Sequence, residues 1–246
     1  MVKKINQGDF YKNKRTEEVF FVIDKITSPF EIEYCIIDSS FAKEPMLIQE
    51  KIFLNSNLEL IDVEEFNRVN VRYIEQLDLT LEEKAKFFAI SAHNAVYQYY
   101  GNCLYSEHLC DTVDNVKEYA HLYPDINLEL AICIMWCHDI IEDARVTYND
   151  VLKALGKEVA DGAFALTNNT GKNRKERADS AYYAKIIKEG VTVQFCKICD
   201  RIANMKNGKK LKHKMFDGYK KELDGFQSQV DPTNYFTELF TIIKNL

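Results

Sequence analysis

Residues 128–144 read LELAICIMWCHDIIEDA. Ten residues that are apolar on every helical face, Glu129 excepted, run directly into His138-Asp139 and then Glu142-Asp143. A helix without a polar face is a buried helix, so the fold must bury one that carries four ionisable side chains at its end. Such groups are costly to bury unless they are paired, hydrogen-bonded or bound to a metal. His138 and Glu142 are four residues apart, as are Asp139 and Asp143, and Asp139 and Glu142 are three apart, which gathers all four at one corner of the helix end. The plain alternative is a solvated acidic helix terminus with an incidental histidine.

The chain around this segment has 246 residues, 46% hydrophobic and 28% charged. That is globular usage, and it excludes disordered, collagen-like and low-complexity chains. Lys+Arg 32 against Asp+Glu 38 gives a net charge of −6, which argues against non-specific binding to nucleic acid or an anionic membrane. No run of about 18 uncharged apolar residues marks a membrane span. The start, MVKKINQGDFYKNKR, lacks the apolar stretch of a signal peptide. Seven cysteines without a framework spacing read as reduced thiols, so a cytoplasmic protein is expected.

The expected fold is mainly α, a helical bundle preceded by a small antiparallel β module, with the boundary near residue 62: 1–62 for the module and 63–246 for the helices. Strands are expected at 19–24 and 31–37, rich in Val, Ile, Phe and Tyr, with Ser28-Pro29 between them as a turn. A third apolar run spans 46–53, after Glu44-Pro45. The first long helix, 80–100, opens with Thr80 as N-cap and Glu83 at capping-box spacing. Further helices are expected at 106–122, 128–144, 147–154, 156–166, 174–189, 191–206 and 211–227.

Two other segments supply partners for the His138-Asp139 pair. His108 stands at the start of a predicted helix, and Asp200 interrupts the apolar pattern of FCKICDRIANM. His108, His138, Asp139 and Asp200 together offer two imidazoles and two carboxylates, a nitrogen and oxygen set suited to Mn²⁺, Fe²⁺, Zn²⁺ or Mg²⁺. Such a site leaves room for a water whose pKa the metal lowers. Glu142 and Asp143, beside it, can then move protons.

The order H…HD…D, with the pair extended to HDIIED and the last aspartate inside CDRIANMK, resembles the HD-domain metal-dependent phosphohydrolases. Within them it is most similar to the guanosine tetraphosphate hydrolases of the SpoT/Rel and small-alarmone type. The likeness runs over residues 85–206, about half the chain. It implies an all-α HD bundle that uses a metal-activated water to remove the 3′-pyrophosphate of (p)ppGpp, with Mn²⁺ as the usual metal. His108, His138, Asp139 and Asp200 would be the ligands, Glu142 and Asp143 would act on the water and the protons, and Asn204 and Lys197 would contact substrate. In that family an arginine in a Q-x-R-x-x-G-x-x-Y pattern packs on guanine; here its place falls on Gln98 or Tyr99. Asn207 stands where a threonine is expected. Other nucleotides (a dNTP, a nucleoside monophosphate or a cyclic nucleotide) and a non-catalytic nucleotide-sensing role are the alternatives.

TNNTGKNRKER, residues 167–177, offers Lys172, Arg174, Lys175 and Arg177 as a phosphate clamp, or else as a solvated loop. The run Lys206 to Lys214 reads as a second solvated loop. Tyr99, Tyr105, Tyr182 and Tyr183 can line a base pocket or fill core. Cys133, Cys137, Cys196 and Cys199 read as buried thiols rather than a zinc or redox site. His93 and Trp136 belong in the core, and His121 and His213 at the surface. The expected partner is a small-molecule nucleotide; self-association and a partner for the N-terminal module stay open.

Overall fold

The computed structural model describes residues 5–14, 19–27, 33–39, 46–50, 53, 58–65, 67–68, 79–96, 98–100 and 103–246. Five strands, β1 (Phe10–Asn13), β2 (Val19–Thr27), β3 (Glu33–Ser39), β4 (Met46–Gln49) and β5 (Leu58–Ile61), form an antiparallel sheet in the order β4-β3-β2-β1-β5. The sequence pattern marks only three of them. β1, FYKN, and β5, LELI, are four residues each and were not marked; β4, as short, falls inside the apolar run 46–53. The turns at Ser28-Pro29 and Glu44-Pro45 lie outside the described residues. Alternation places Tyr11, Phe20, Val22, Cys35 and Ile37 on one face with Phe53, and Phe10, Val19 and Phe21 on the other with Val63 and Ala95. A sheet covered on both faces needs apolar residues at successive positions, which explains the unalternating VFFVI of β2.

The rest is helical, and the protein is mainly α. α1 (Leu81–Ala95) is followed by a ribbon of β6 (Tyr99–Tyr100) and β7 (Cys103–Leu104). Then come α2 (Tyr105–Tyr119) with a 3₁₀ turn at Ala120–Leu122, α3 (Leu128–Cys137), α4 (Ile140–Asp143), α5 (Tyr148–Leu155), α6 (Lys157–Leu166), α7 (Arg174–Arg177), α8 (Ser180–Lys188), α9 (Val191–Lys210), α10 (Met215–Val230) and α11 (Thr237–Lys244). Thr80 and Glu83 close the expected capping box on α1, and Thr147 with Asp150 forms a second on α5.

Several boundaries differ from expectation for local reasons. α1 stops at Ala95, where the chain turns back with Gln98 N–H donating to His93 O at 3.1 Å. The expected helix 174–189 is two helices, because Asp179 accepts from Tyr182 N–H at 2.9 Å and starts α8 afresh. α9 runs past residue 206 to Lys210, so much of the basic run read as a loop is helix. Lys206 Nζ is tied down by Asn115 Oδ1 at 2.8 Å and Glu118 Oε2 at 3.2 Å. α10 begins four residues later than predicted. α11, short and unanticipated, buries Leu239, Phe240 and Ile243.

α3 is the axis of the bundle. Ala131 to Cys137 are all buried, and α1, α2, α6 and α9 surround them. Gly162 on α6 lets its backbone come close, since a Cβ there would fall 2.3 Å from Ile134 Cδ1. Among the described residues no helix is long and apolar enough to cross a membrane.

Candidate metal centre

The three helices that carry the predicted ligands pack against one another: His108 lies in the first turn of α2, His138 and Asp139 in the break between α3 and α4, and Asp200 midway along α9. His138 Nδ1 donates to Met135 O at 2.8 Å. A carbonyl only accepts, so the proton is on Nδ1 and Nε2 is the atom offered to the site. His108 has no such tether, and its Nδ1 is buried without a hydrogen-bond partner.

The two Nε2 atoms are 3.3 Å apart. Asp139 Oδ2 is 2.9 Å from His138 Nε2 and 3.7 Å from His108 Nε2. Asp200 Oδ1 is 3.7 Å from His108 Nε2 and 3.9 Å from His138 Nε2. Ligands about 2.1 Å from one ion stand roughly 3 to 3.5 Å from each other; the two shorter spacings are of that size, and the three longer ones exceed it by a few tenths of an ångström. His108, His138 and Asp200 form a buried group that could hold a metal ion, and Asp139 reaches the same atoms from a half-buried position. The set carries no thiolate; Cys133, Cys137, Cys196 and Cys199 are buried free thiols, as expected.

Charge is concentrated here. Burial alone would lower the pKa of His138, but Asp139 and Asp200 outweigh it and raise it to about 9. Burial opposes the Asp139 and Asp200 carboxylates as well. The imidazoles, and Lys197 for Asp200, nonetheless hold both below the usual carboxylate range. Lys197 Nζ donates to Asp200 Oδ2 at 3.0 Å, and Asn204 Nδ2 donates to Oδ1 at 2.5 Å. Tyr105 O–H donates to Asp139 Oδ2; burial and the Asp139 charge push its pKa up, so it stays a donor. Tyr100 stacks on His108, ring centres 4.6 Å apart, and its O–H donates to Asn204 Oδ1 at 3.1 Å.

Glu142 and Asp143 are anchored from different sides. Glu142 Oε2 accepts from Asn168 N–H at 3.0 Å and Oε1 from Asn168 Nδ2 at 3.1 Å, with Arg177 Nη1 at 3.7 Å. Asp143 Oδ2 accepts from Gln98 Nε2 at 2.7 Å, and Gln98 Oε1 accepts from His93 Nδ1 at 2.6 Å. Burial, then the nearby Asp139 charge, raises the pKa of Asp143. His93 is thus buried, as predicted, but it also orients Gln98 and stacks on Tyr105 at 4.4 Å.

The cluster opens into a cleft of about 840 Å³, within the usual size range of small-molecule sites. Of the sequence-predicted substrate residues, Tyr105, Arg177, Lys197 and Asn204 line it. Tyr99 and Lys172 do not: Tyr99 is exposed at 57%, and Lys172 is exposed with its N–H bonded to Glu176 Oε2 at 2.9 Å. The Lys175 side chain lies outside what is described. Asn168, Arg201 and Tyr219 also line the cleft and had no predicted role. For Arg201 the signal was available, since it follows the ligand Asp200 directly.

Fold and site define a mainly helical protein with a buried His-His-Asp group able to take a metal ion. No protein-family model matches the chain, and no curated protein matches it.

Proposed function

We propose that this protein is a metal-dependent phosphohydrolase of the HD type acting on a nucleotide phosphate ester, first of all on the 3′-pyrophosphate of (p)ppGpp. The observation that carries the reading is the convergence of His108, His138, Asp139 and Asp200, from three helices, on one buried point beside a cleft with basic side chains. Those four side chains would hold the metal, with Mn²⁺ the first choice. When bound, a divalent cation supplies Lewis acidity and lowers the pKa of its water.

The chain's own groups have separable tasks. Glu142, with both oxygens fixed by Asn168, is an oriented carboxylate beside the ligands. Asp143 has one oxygen held by Gln98, and burial with the nearby Asp139 charge raises its pKa, which favours a role in proton exchange. Arg177 places positive charge at the cleft wall, where a phosphate would bring negative charge. Lys197 and Asn204 each donate to the Asp200 carboxylate and are positioning residues.

A second reading, hydrolysis of a different nucleotide, has its own observation. Gln98 is committed to Asp143, and Tyr99 is outside the cleft, so neither takes the place of a guanine-stacking arginine.

The test is incubation of the purified protein with Mn²⁺ and a panel of ppGpp, GTP, dNTPs and cyclic nucleotides, with Asp200→Ala as control. GDP and pyrophosphate from ppGpp, absent in the variant, is the expected result. Turnover of another member alone moves the substrate. No turnover of any member by metal-loaded protein overturns the enzyme reading in favour of a sensing role.

A further inference from the structure

At the α10 side of the cleft, Arg201 is 6% exposed. Its guanidinium carbon lies 4.1 Å from the Phe226 ring centre and 4.6 Å from that of Tyr219. Among the described residues its side chain makes no hydrogen bond or ion pair, and Nη1 is buried without a partner. A guanidinium carries five donors and does not give up its charge. Leaving it buried and unpaired is costly, and stacking on two rings compensates only in part.

Arg174 brings a second guanidinium, also 4.6 Å from the centre of the Tyr219 ring, so the two charges lie within twice that distance of each other. Arg174 faces Glu222 Oε2 at 3.3 Å, a half-exposed pair that solvent screens. Two like charges brought together over one ring, one of them with no ion pair among the described residues, is the arrangement an anion completes.

We propose that Arg201 and Arg174, with Tyr219 holding both, form an anion subsite for a phosphate group of the substrate other than the one cleaved. The substrate would then carry at least two phosphate groups at separate positions. The assignment to substrate rests on the phosphohydrolase reading; the anion site itself rests on Arg201.

The probe is inorganic pyrophosphate, titrated calorimetrically into the full-length protein stripped of metal. Wild type is expected to bind it. Arg174→Ala, at a half-exposed position, is expected to weaken binding about tenfold, and Arg201→Lys to do the same while the circular dichroism spectrum stays unchanged. His138→Ala is expected to keep binding. This result stands even if no substrate is hydrolysed, so it fails separately from the enzyme reading. Absence of binding, binding indifferent to both arginine changes, or loss in His138→Ala overturns the subsite. Competition between pyrophosphate and a nucleoside 3′,5′-bisphosphate supports a substrate subsite; pyrophosphate bound alongside the nucleotide overturns the substrate role.

Discussion

The Nε2 atoms of His108 and His138 face each other at 3.3 Å across two helices, with both rings buried. Two buried imidazole nitrogens meet at this range when a proton or a cation lies between them and their neighbours. His138→Ala removes the one ligand whose orientation is fixed by the backbone, through Met135 O. Purified protein is expected to carry about one divalent ion per chain, and His138→Ala to lose it while keeping its helical spectrum. Metal analysis after gel filtration checks this; equal metal content in the two proteins would place the ion elsewhere.

Two buried histidines give the metal-free protein a stability maximum. His138 has its pKa raised from 6.5 to about 9. Its contribution is full below pH 6.5 and is lost as pH rises through 9. His93 is shifted the other way, by burial, from 6.5 to about 4. The unfolded chain takes up that proton first, so stability falls as pH drops from 6.5 towards 4. The depressed carboxylates of Asp139 and Asp200 steepen the acid side at lower pH. A metal ion replaces the proton on His138, so metal-loaded protein is expected to lose the slope between pH 6.5 and 9. That window lies below the range of the buried thiols, which ordinarily titrate near 9 and are raised here. Thermal melts across pH, with and without Mn²⁺, measure both limbs. An alkaline limb that persists in His138→Asn would assign it to another group.

On the proposed reading, chemistry and metal binding separate at Glu142. Its carboxylate is bonded to Asn168 and faces Arg177, not the ligand nitrogens. Glu142→Gln is expected to leave metal content unchanged and to lower kcat on a cleaved nucleotide by about 10² to 10⁴. Asn168→Ala, which removes the side-chain bond to Oε1 and keeps the backbone bond to Oε2, is expected to lower kcat less. Retained activity in Glu142→Gln would remove this residue from the reaction.

The buried His108, His138 and Asp200 group that could hold a metal ion was legible in the sequence because ionisable residues inside apolar helices need a reason to be there. LELAICIMWCHD and FCKICD announce theirs. The cleft wall was legible only in part. Tyr105, Arg174, Arg177, Lys197 and Asn204 were named from the sequence and line it; Arg201 and Tyr219, from α9 and α10, had no predicted role, and nothing in a polar helix such as α10 says which side meets a cavity. The same limit hid the role of Gln98. As a sequence feature it marked only a missing arginine, whereas its two hydrogen bonds, to His93 and Asp143, depend on the ribbon that turns the chain back after α1. The helical majority followed from periodicity and caps; the breaks at His138 and Asp179 depend on single side-chain and carbonyl contacts that periodicity does not register.

That turn makes Gln98 a positioning residue with a measurable signature. Its Nε2 donates to Asp143 Oδ2 at 2.7 Å, and this bond favours the carboxylate over the acid. Gln98→Leu removes the donor, so the pKa of Asp143 rises further. If the proposed hydrolysis is found, the limb of its pH–rate profile set by Asp143 is expected to move up by about one pH unit, with KM little changed. Gln98→Asn, which keeps an amide but shortens its reach, is expected to fall between the two. His93→Phe keeps a ring against Tyr105 but frees Gln98 to rotate, and it is expected to produce a smaller shift in the same direction. A lowered kcat with both limbs unmoved would mean that Gln98 only supports the fold of the ribbon and does not govern the proton on Asp143.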